Sequence, residues 1–373
     1  MRHRSKLVRL GLIGCGRVTE TQHLPALQHL PDVEVVAVAD IDPDRLGRVA
    51  NPFRIEHRWT DYRALLDHQN VEAVGVCVPP QFHVEVALAA LDAGKHLFIE
   101  KPLALSLDES ERLIAQAAQS PKKVMVGFNM RWHRLVRQAR EIIHRGDLGS
   151  PKLIRTALTG GSHVSDDTPE WRKRRELGGG TLVDVAVHHF DLWRFLLQTE
   201  VEEVFATSRS EQWEDETATV MAQMSNGVLA TSVFSQGTSS NHEIEVYGQS
   251  GRLHVSSYRF DGLEFFPTST FPGDIRPRLQ RILFALKELP QAALRARQGG
   301  DTVASYRAEW RHFINSIHHD TPVECTLEDG HRALQVVLAA AASASLRQPV
   351  KVAEGPRKIT PCAPETTPES RQF

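Results

Sequence analysis

The chain has 373 residues, 41% of them hydrophobic and 24% charged, with 44 Lys plus Arg against 46 Asp plus Glu. At ~100–200 residues per domain two domains are expected, and collagen-like, coiled-coil and wholly disordered chains are excluded. The near-balanced charge points to neither a nucleic-acid nor a membrane partner. Residues 7–13, 33–39, 73–78, 96–99 and 124–128 are short, mostly continuous, β-branched apolar runs, as strands buried on both faces of a parallel sheet require. Helical patterns lie between them at 61–67, 83–93 and 106–119, the last opening with Ser106 and Glu109 at capping-box spacing. This alternation predicts an α/β domain, a doubly wound parallel sheet, over residues 1–128.

Beyond residue 128 the texture changes. Helices are expected at 136–144 and 182–197, strands at 201–209, 217–224, 228–236, 243–247 and 252–256, and helices again at 301–318 and 327–346. Ser225-Asn226-Gly227 reads as a hairpin turn, because Asn-Gly tolerates the positive φ such turns need. Strands without crossover helices predict an α+β domain with a large open, mostly antiparallel sheet over 129–353. The Pro- and Thr-rich stretch 354–373 is expected to lie outside the fold. Residues 275–298 combine an apolar stripe (Leu279, Ile282, Leu283, Leu286) with Arg276, Arg278, Arg281, Lys287, Arg295 and Arg297. Pro277 and Pro290 limit that helix to about three turns, which favours a sheet-edge or subunit contact over an anionic membrane surface. Four cysteines without CxxC spacing (Cys15, Cys77, Cys325, Cys362) speak against a disulfide framework or a cysteine zinc site. With no signal segment and no run of ~18 apolar residues, a cytoplasmic protein is expected.

Gly14-Cys15-Gly16-Arg17-Val18-Thr19 follows the first strand and fits G-x-G-x-x-(G/A) except at its end. The first glycine makes the tight turn, and the second lets backbone approach a pyrophosphate at a helix N-terminus. Thr19 stands where a third glycine normally allows close helix–strand packing. Asp40 closes the second strand at the distance expected of an acid that binds a ribose 2′-OH. A carboxylate there repels a 2′-phosphate, so NAD is favoured over NADP, with nearby Arg45 weakening the preference.

Val78-Pro79-Pro80 and Glu100-Lys101-Pro102 close two further strands at the edge where open α/β sheets bind ligands. Lys101 is either an exposed ion-pair partner or a lysine poised to exchange protons. The run from Gly178-Gly179-Gly180 to Asp184, His188 and Asp191 places its polar residues at i, i+4 and i+7 of a helix. Asp184 and His188 are therefore expected to touch, tuning the imidazole as a base near neutral pH. A metal site is disfavoured, since no third histidine or cysteine has ligand spacing. Trp171 and Arg172 precede the glycines, and Asn129 and Arg131 follow the sixth strand, so all four are candidates to touch substrate. The basic groups lean toward an anionic substrate such as a nucleotide-linked sugar.

The glycine loop, Val78-Pro79-Pro80, Ala93-Gly94-Lys95-His96 leading to Glu100-Lys101-Pro102, Phe128-Asn129-Met130-Arg131 and the GGG-x-x-x-D-x-x-x-H-x-x-D run resemble, in order and spacing, the Gfo/Idh/MocA family of glucose–fructose oxidoreductases and inositol dehydrogenases. The resemblance spans residues ~5–350. It implies an N-terminal Rossmann domain and hydride transfer between a nicotinamide and a secondary alcohol of a sugar, nucleotide-sugar or cyclitol. It also implies a homodimer or homotetramer built on the C-terminal sheet. It assigns cofactor contacts to Gly14, Gly16, Arg17, Val18, Asp40, Pro79, Pro80, His83, Glu100 and Lys101, and catalysis to Lys101, Asp184 and His188. Lys101 and His188 handle the proton in either order. The family also holds redox-neutral NAD-dependent glycosidases, so these and a non-catalytic NAD sensor stand as rival readings.

Overall fold

A computed structural model describes residues 7–160, 168–269 and 274–361. The first sheet has six parallel strands: β1 (Val8–Ile13), β2 (Val33–Ala39), β3 (His57–Trp59), β4 (Ala73–Val76), β5 (His96–Glu100) and β6 (Val124–Gly127). Their order is β3-β2-β1-β4-β5-β6. The connecting helices are α1 (Leu24–Leu27), α2 (Pro43–Phe53), α3 (Tyr62–Asp67), α4 (His83–Asp92) and α5 (Leu107–Ala117). Side chains fix where several start. Asp42 accepts the Asp44 and Arg45 amides, and Ser106 with Glu109 forms the expected capping box. The strand order reverses between β1 and β4, so the loops after them flank the crevice where such sheets bind ligands.

The chain continues through α6 (Arg134–His144), β7 (Pro151–Thr159), α7 (Glu170–Lys173), α8 (Ala186–Leu197), β8 (Val201–Arg209), β9 (Thr217–Met224), β10 (Leu229–Ser235), β11 (Asn241–Gly248), β12 (Gly251–Ser256) and β13 (Leu263–Pro267). It ends with α9 (Ile275–Arg297), α10 (Gly300–His319), α11 (Leu327–Leu346) and β14 (Val350–Lys351). Eight strands form the second sheet in the order β13-β12-β11-β7-β10-β9-β8-β14. Only the β7–β10 pairing is parallel. The β9–β10 hairpin turns at Gly227, whose φ is +83° and whose N–H donates to Met224 O at 2.8 Å. On β9 alternate residues (Ala218, Val220, Ala222, Met224) are buried on the side covered by α8 and α11. The other face carries exposed Met221, Leu229 and Val233.

Three expectations are corrected. Helix α10 lies on the first sheet: Trp310 stacks on Phe98 of β5 at 4.2 Å, and a Cβ on Gly75 of β4 would lie 3.0 Å from Trp310. The 23-residue α9 runs straight through Pro290 and past three turns. Its other proline, Pro277, falls in the first turn, where an N–H has no intrahelical acceptor to lose. The chain also stays in the fold after Glu354. Leu107 N–H donates to Arg357 O at 2.7 Å, Ile359 N–H to Leu105 O at 3.0 Å, and Ile359 is buried. Residues 362–373, where the rest of the tail expectation falls, lie outside the described residues. Among the described residues no helix is long and apolar enough to cross a membrane.

Candidate active site

Gly14 leaves β1 with φ +97°, and a Cβ on it would lie 2.4 Å from Cys77 O. Only glycine fits that left-handed, crowded position. Gly16 differs: no atom lies within 4 Å of where its Cβ would be. Gly14 is thus fixed by the protein, whereas Gly16 leaves backbone open to a ligand. Arg17 is exposed and Val18 half-buried beside it. Thr19 opens a π-helical turn (Thr19–His23) and donates its buried hydroxyl to Gly14 O at 2.7 Å. That bond closes the turn without a third glycine.

Asp40 ties the loop to β2. Its Oδ2 accepts the Cys15 amide at 2.7 Å, and its Oδ1 accepts the Asp42 amide at 3.0 Å. Arg45 reaches Oδ1 at 3.3 Å. Burial, together with the nearby Asp40 charge, pushes the Cys15 thiol up to about 12, so it stays protonated.

After β4, Pro79 is half-buried, and buried Pro80 meets the second domain. A Cβ on Gly178, whose φ is +95°, would lie 2.4 Å from Pro80 Cβ. His83, assigned to cofactor by resemblance, is buried with its two ring nitrogens 2.7 Å from Pro102 O and 2.9 Å from Val78 O. It therefore clips together the two loops that carry the prolines and Lys101. Glu100 is similarly committed. Its Oε2 accepts the Lys101 amide at 3.2 Å, and its Oε1 lies 3.0 Å from Nε2 of the fully buried His23. The Trp310 indole, a donor only, bonds His23 Nδ1 at 2.9 Å, which leaves the His23 proton on Nε2 facing Glu100.

Lys101 Nζ donates to both Asp184 Oδ1 and Asp184 O at 2.7 Å, bridging the two domains. Arg172 Nη2 holds the other carboxylate oxygen at 3.0 Å. Burial pushes the Asp184 pKa up, but the Lys101 and Arg172 charges outweigh it and hold the carboxyl well below the usual carboxylate range. Asp184 spends its two carboxylate oxygens on Lys101 and Arg172, and among the described residues no hydrogen bond joins it to His188. Residues Thr181–Val185, Asp184 among them, form a π-helical turn closed by Ala186 N–H to Thr181 O, and His188 follows in α8. Burial, then the Lys101 charge, lowers the His188 pKa well below the ordinary imidazole value against a weaker pull from Asp184. The imidazole is thus neutral at pH 7, not tuned to it. Its Nδ1 is buried without a hydrogen-bond partner among the described residues.

Other candidates have partners within the protein. Arg131 is buried, its Nε 2.6 Å from Asp191 Oδ2 and its Nη1 3.2 Å from both Glu324 O and Asp329 Oδ2; Nη2 also binds Asp191. Asn129 donates to Ser305 of α10 at 3.3 Å. The cations of 172–175 all have carboxylate partners: Arg172 has Asp184, Lys173 and Arg174 have Glu170, and buried Arg175 has Asp215. The lean toward an anionic substrate loses its support. Trp171 stays half-buried beside Arg172, and a Cβ on Gly179 would lie 2.2 Å from its carbonyl. Sequence reasoning missed His23 and Tyr306, whose rings meet edge-on at 5.0 Å behind Glu100. The signal available was a pair of polar residues, Tyr306 and Glu309, three apart on an otherwise apolar helix face.

A glycine-loop Rossmann sheet with a lysine at the carboxyl edge of its fifth strand, closed by a second α/β domain, defines the class of nicotinamide-dependent oxidoreductases. Residues 8–128 match the NAD-binding Rossmann domain of the Gfo/Idh/MocA oxidoreductases, and residues 140–352 match their C-terminal alpha/beta domain. The chain belongs to that family of NAD-binding oxidoreductases. It is 29% identical to the myo-inositol 2-dehydrogenase of Thermotoga maritima over 356 residues, 93% of this chain and 99% of that one. It is 32% identical over 251 residues, 67% of this chain and 74% of the other, to the dTDP-3,4-didehydro-2,6-dideoxy-alpha-D-glucose 3-reductase of Actinomadura kijaniata. The WlbA dehydrogenase of Bordetella pertussis, solved with NADH and UDP-GlcNAcA, shares the fold at a TM-score of 0.77 and 20% identity, over 93% of this chain and 98% of that one.

Proposed function

We propose that the chain oxidises a secondary alcohol of a cyclitol or sugar with NAD. The observation that carries this reading is Lys101, held against Asp184 at the carboxyl edge of the first sheet by two contacts of 2.7 Å. The residues present fit a dinucleotide, since the Gly16 backbone is open and the Asp40 carboxylate ends β2 beside it. Bound NAD supplies the hydride acceptor. Lys101, held by Asp184, donates a hydrogen bond to the reacting oxygen and stabilises the negative charge that develops there. His188, kept neutral by burial and by Lys101, offers a lone pair to the hydroxyl proton. Arg172 fixes the outer oxygen of Asp184 and so the direction of Lys101.

The carboxylate of Asp40 favours NAD over NADP, and Arg45 on its flank keeps the preference finite. With the basic groups near 172 already paired, a neutral polyol is the first choice of substrate. A nucleotide sugar is the second, favoured by the 32% identity to a dTDP-sugar reductase. The exposed outer face of the second sheet, with Met221, Leu229 and Val233, is proposed to join subunits in a homodimer or homotetramer.

The test is NADH formation over a panel of cyclitols, free sugars and nucleotide sugars, with thermal shift on the same compounds. Release of NADH with a polyol supports the reading. Turnover that releases none points to a redox-neutral hydrolase. Binding of NAD with turnover of nothing points to a sensor.

A further inference from the structure

Helix α9 is packed inside out. Among its described side chains the half-buried ones are Ala285, Glu288, Ala292 and Arg295, at helical spacing, and this face turns toward α10. Arg295 there lies 3.5 Å from Glu288 and 3.1 Å from Asp301 of α10. On the opposite side Leu279, Ile282, Leu283, Leu286, Leu289 and Leu294 stand 48–67% exposed. The spacing 279, 282, 286, 289 is one continuous stripe, about 22 Å long from Leu279 to Leu294 at 1.5 Å per residue. A soluble surface helix buries such a stripe, whereas this one presents it.

Charge decides what covers it. Residues 275–297 contain six basic residues and a single acid, Glu288, which is turned inward. Arg276, Lys287 and Arg297 are exposed around the stripe. A second copy seated on this face across a two-fold axis would bring the same basic groups against each other. An anionic lipid surface satisfies both halves of the pattern: acyl chains take the Leu/Ile stripe, and lipid phosphates take the Arg and Lys at its rim. Prolines do not cut the helix short, so its full length is available.

We infer that α9 is a peripheral membrane-docking helix that lies flat on anionic bilayers and keeps the enzyme at a lipid surface. The test uses the full chain with vesicles of equimolar phosphatidylglycerol and phosphatidylcholine, and with phosphatidylcholine alone. Co-sedimentation with the anionic vesicles is expected to exceed that with neutral ones by about tenfold and to weaken with added salt. The Leu283→Glu/Leu286→Glu double variant changes two exposed positions, so it should keep the wild-type Tm and lose about tenfold in binding. Ile282→Trp, as a second probe, should shift its emission to the blue on anionic vesicles only. Absence of binding to anionic vesicles, or binding unchanged in the double variant with no Ile282→Trp shift, overturns the inference. So does a loss of oligomer mass in the double variant with no vesicle binding by wild type, which would assign the stripe to a second copy.

Discussion

Asp184 and Asp191 sit seven residues apart on one helical stretch, and each grips a cation from the first domain or its exit. Their surroundings make them different instruments. Asp184 holds Lys101 and Arg172, whose side chains are 14% and 35% exposed. Asp191 holds Arg131, which is 6% exposed and shared with Asp329 of α11. An ammonium at the crevice edge can turn part of its hydrogen bonding to a substrate. A guanidinium with its three nitrogens spent on Asp191, Asp329 and Glu324 O can only pin helices together. Residue type and spacing are alike in the two clusters, and access to solvent separates chemistry from support.

The sharpest way to break this contrast is to delete each cation. Lys101→Ala should lower kcat by about 10³-fold, within the usual range for a proton-handling group, with a smaller loss of stability than Arg131→Ala because Arg172 still pairs with Asp184. A loss under about tenfold, or ~1.4 kcal/mol of barrier, would place Lys101 outside the chemistry. Arg131→Ala should do the reverse. Stranding buried Asp191 should cost about 3–5 kcal/mol of unfolding free energy in urea titrations. If stability moves by less than about 1 kcal/mol, the buried cluster is not a pin, and the distinction drawn from exposure fails.

How far the sequence foresees this contrast depends on the kind of signal. Continuous apolar strands and the Ser106–Glu109 box are legible, because burial on two faces and capping leave residue-level marks. β7 escapes notice although it sits mid-sheet, since polar Lys152 and Thr156 alternate with Ile154 and Leu158 on its inward face. β3, three polar or aromatic residues long, leaves no pattern to find. The position of α10 against Phe98 is a long-range choice that no local window contains. In the site, residue types at strand ends are legible for Gly14, Asp40 and Lys101. The partners of Asp184 are not, because Lys101 and Arg172 reach it from outside its own helix. Arg131 and Asn129 look like substrate ligands in one dimension and are spent on α8, α10 and α11 in three.

A smaller effect separates neutral buried groups from paired ones. Burial lowers the His242 pKa to about 3 and the His133 pKa to about 4. Above pH 6.5 these imidazoles are neutral in both folded and unfolded chains and contribute no slope. As pH falls below 6.5 the unfolded chain takes up protons that the folded chain cannot, so stability falls with pH down to the folded values. At pH 5 each such histidine should cost about 2 kcal/mol. The paired Asp184 acts in a lower window. Its folded pKa is depressed, so its contribution is intact above the unfolded value near ~4 and fades only below it. Urea midpoints at pH 7 and pH 5 should therefore differ, and His242→Gln should remove part of the difference. An equal drop in the variant would sever the slope from His242.

The last prediction concerns Arg172, the most exposed of the three cations and one that shares its carboxylate with Lys101. It touches the Asp184 oxygen that Lys101 does not, and its side chain is still 35% open. Removing it leaves Asp184 held by Lys101 alone, so the ammonium keeps its charge partner but loses part of its aim. Arg172→Gln should raise KM for the alcohol about tenfold, or ~1.4 kcal/mol, while kcat changes by less than about threefold. Arg172→Lys should recover part of the loss, since one of its rotatable donors can still reach the carboxylate, but not all of it, because the planar fork is gone. If kcat instead falls as far as KM rises, Arg172 belongs with Lys101 in the transition state, and the boundary between chemistry and support runs one residue further out.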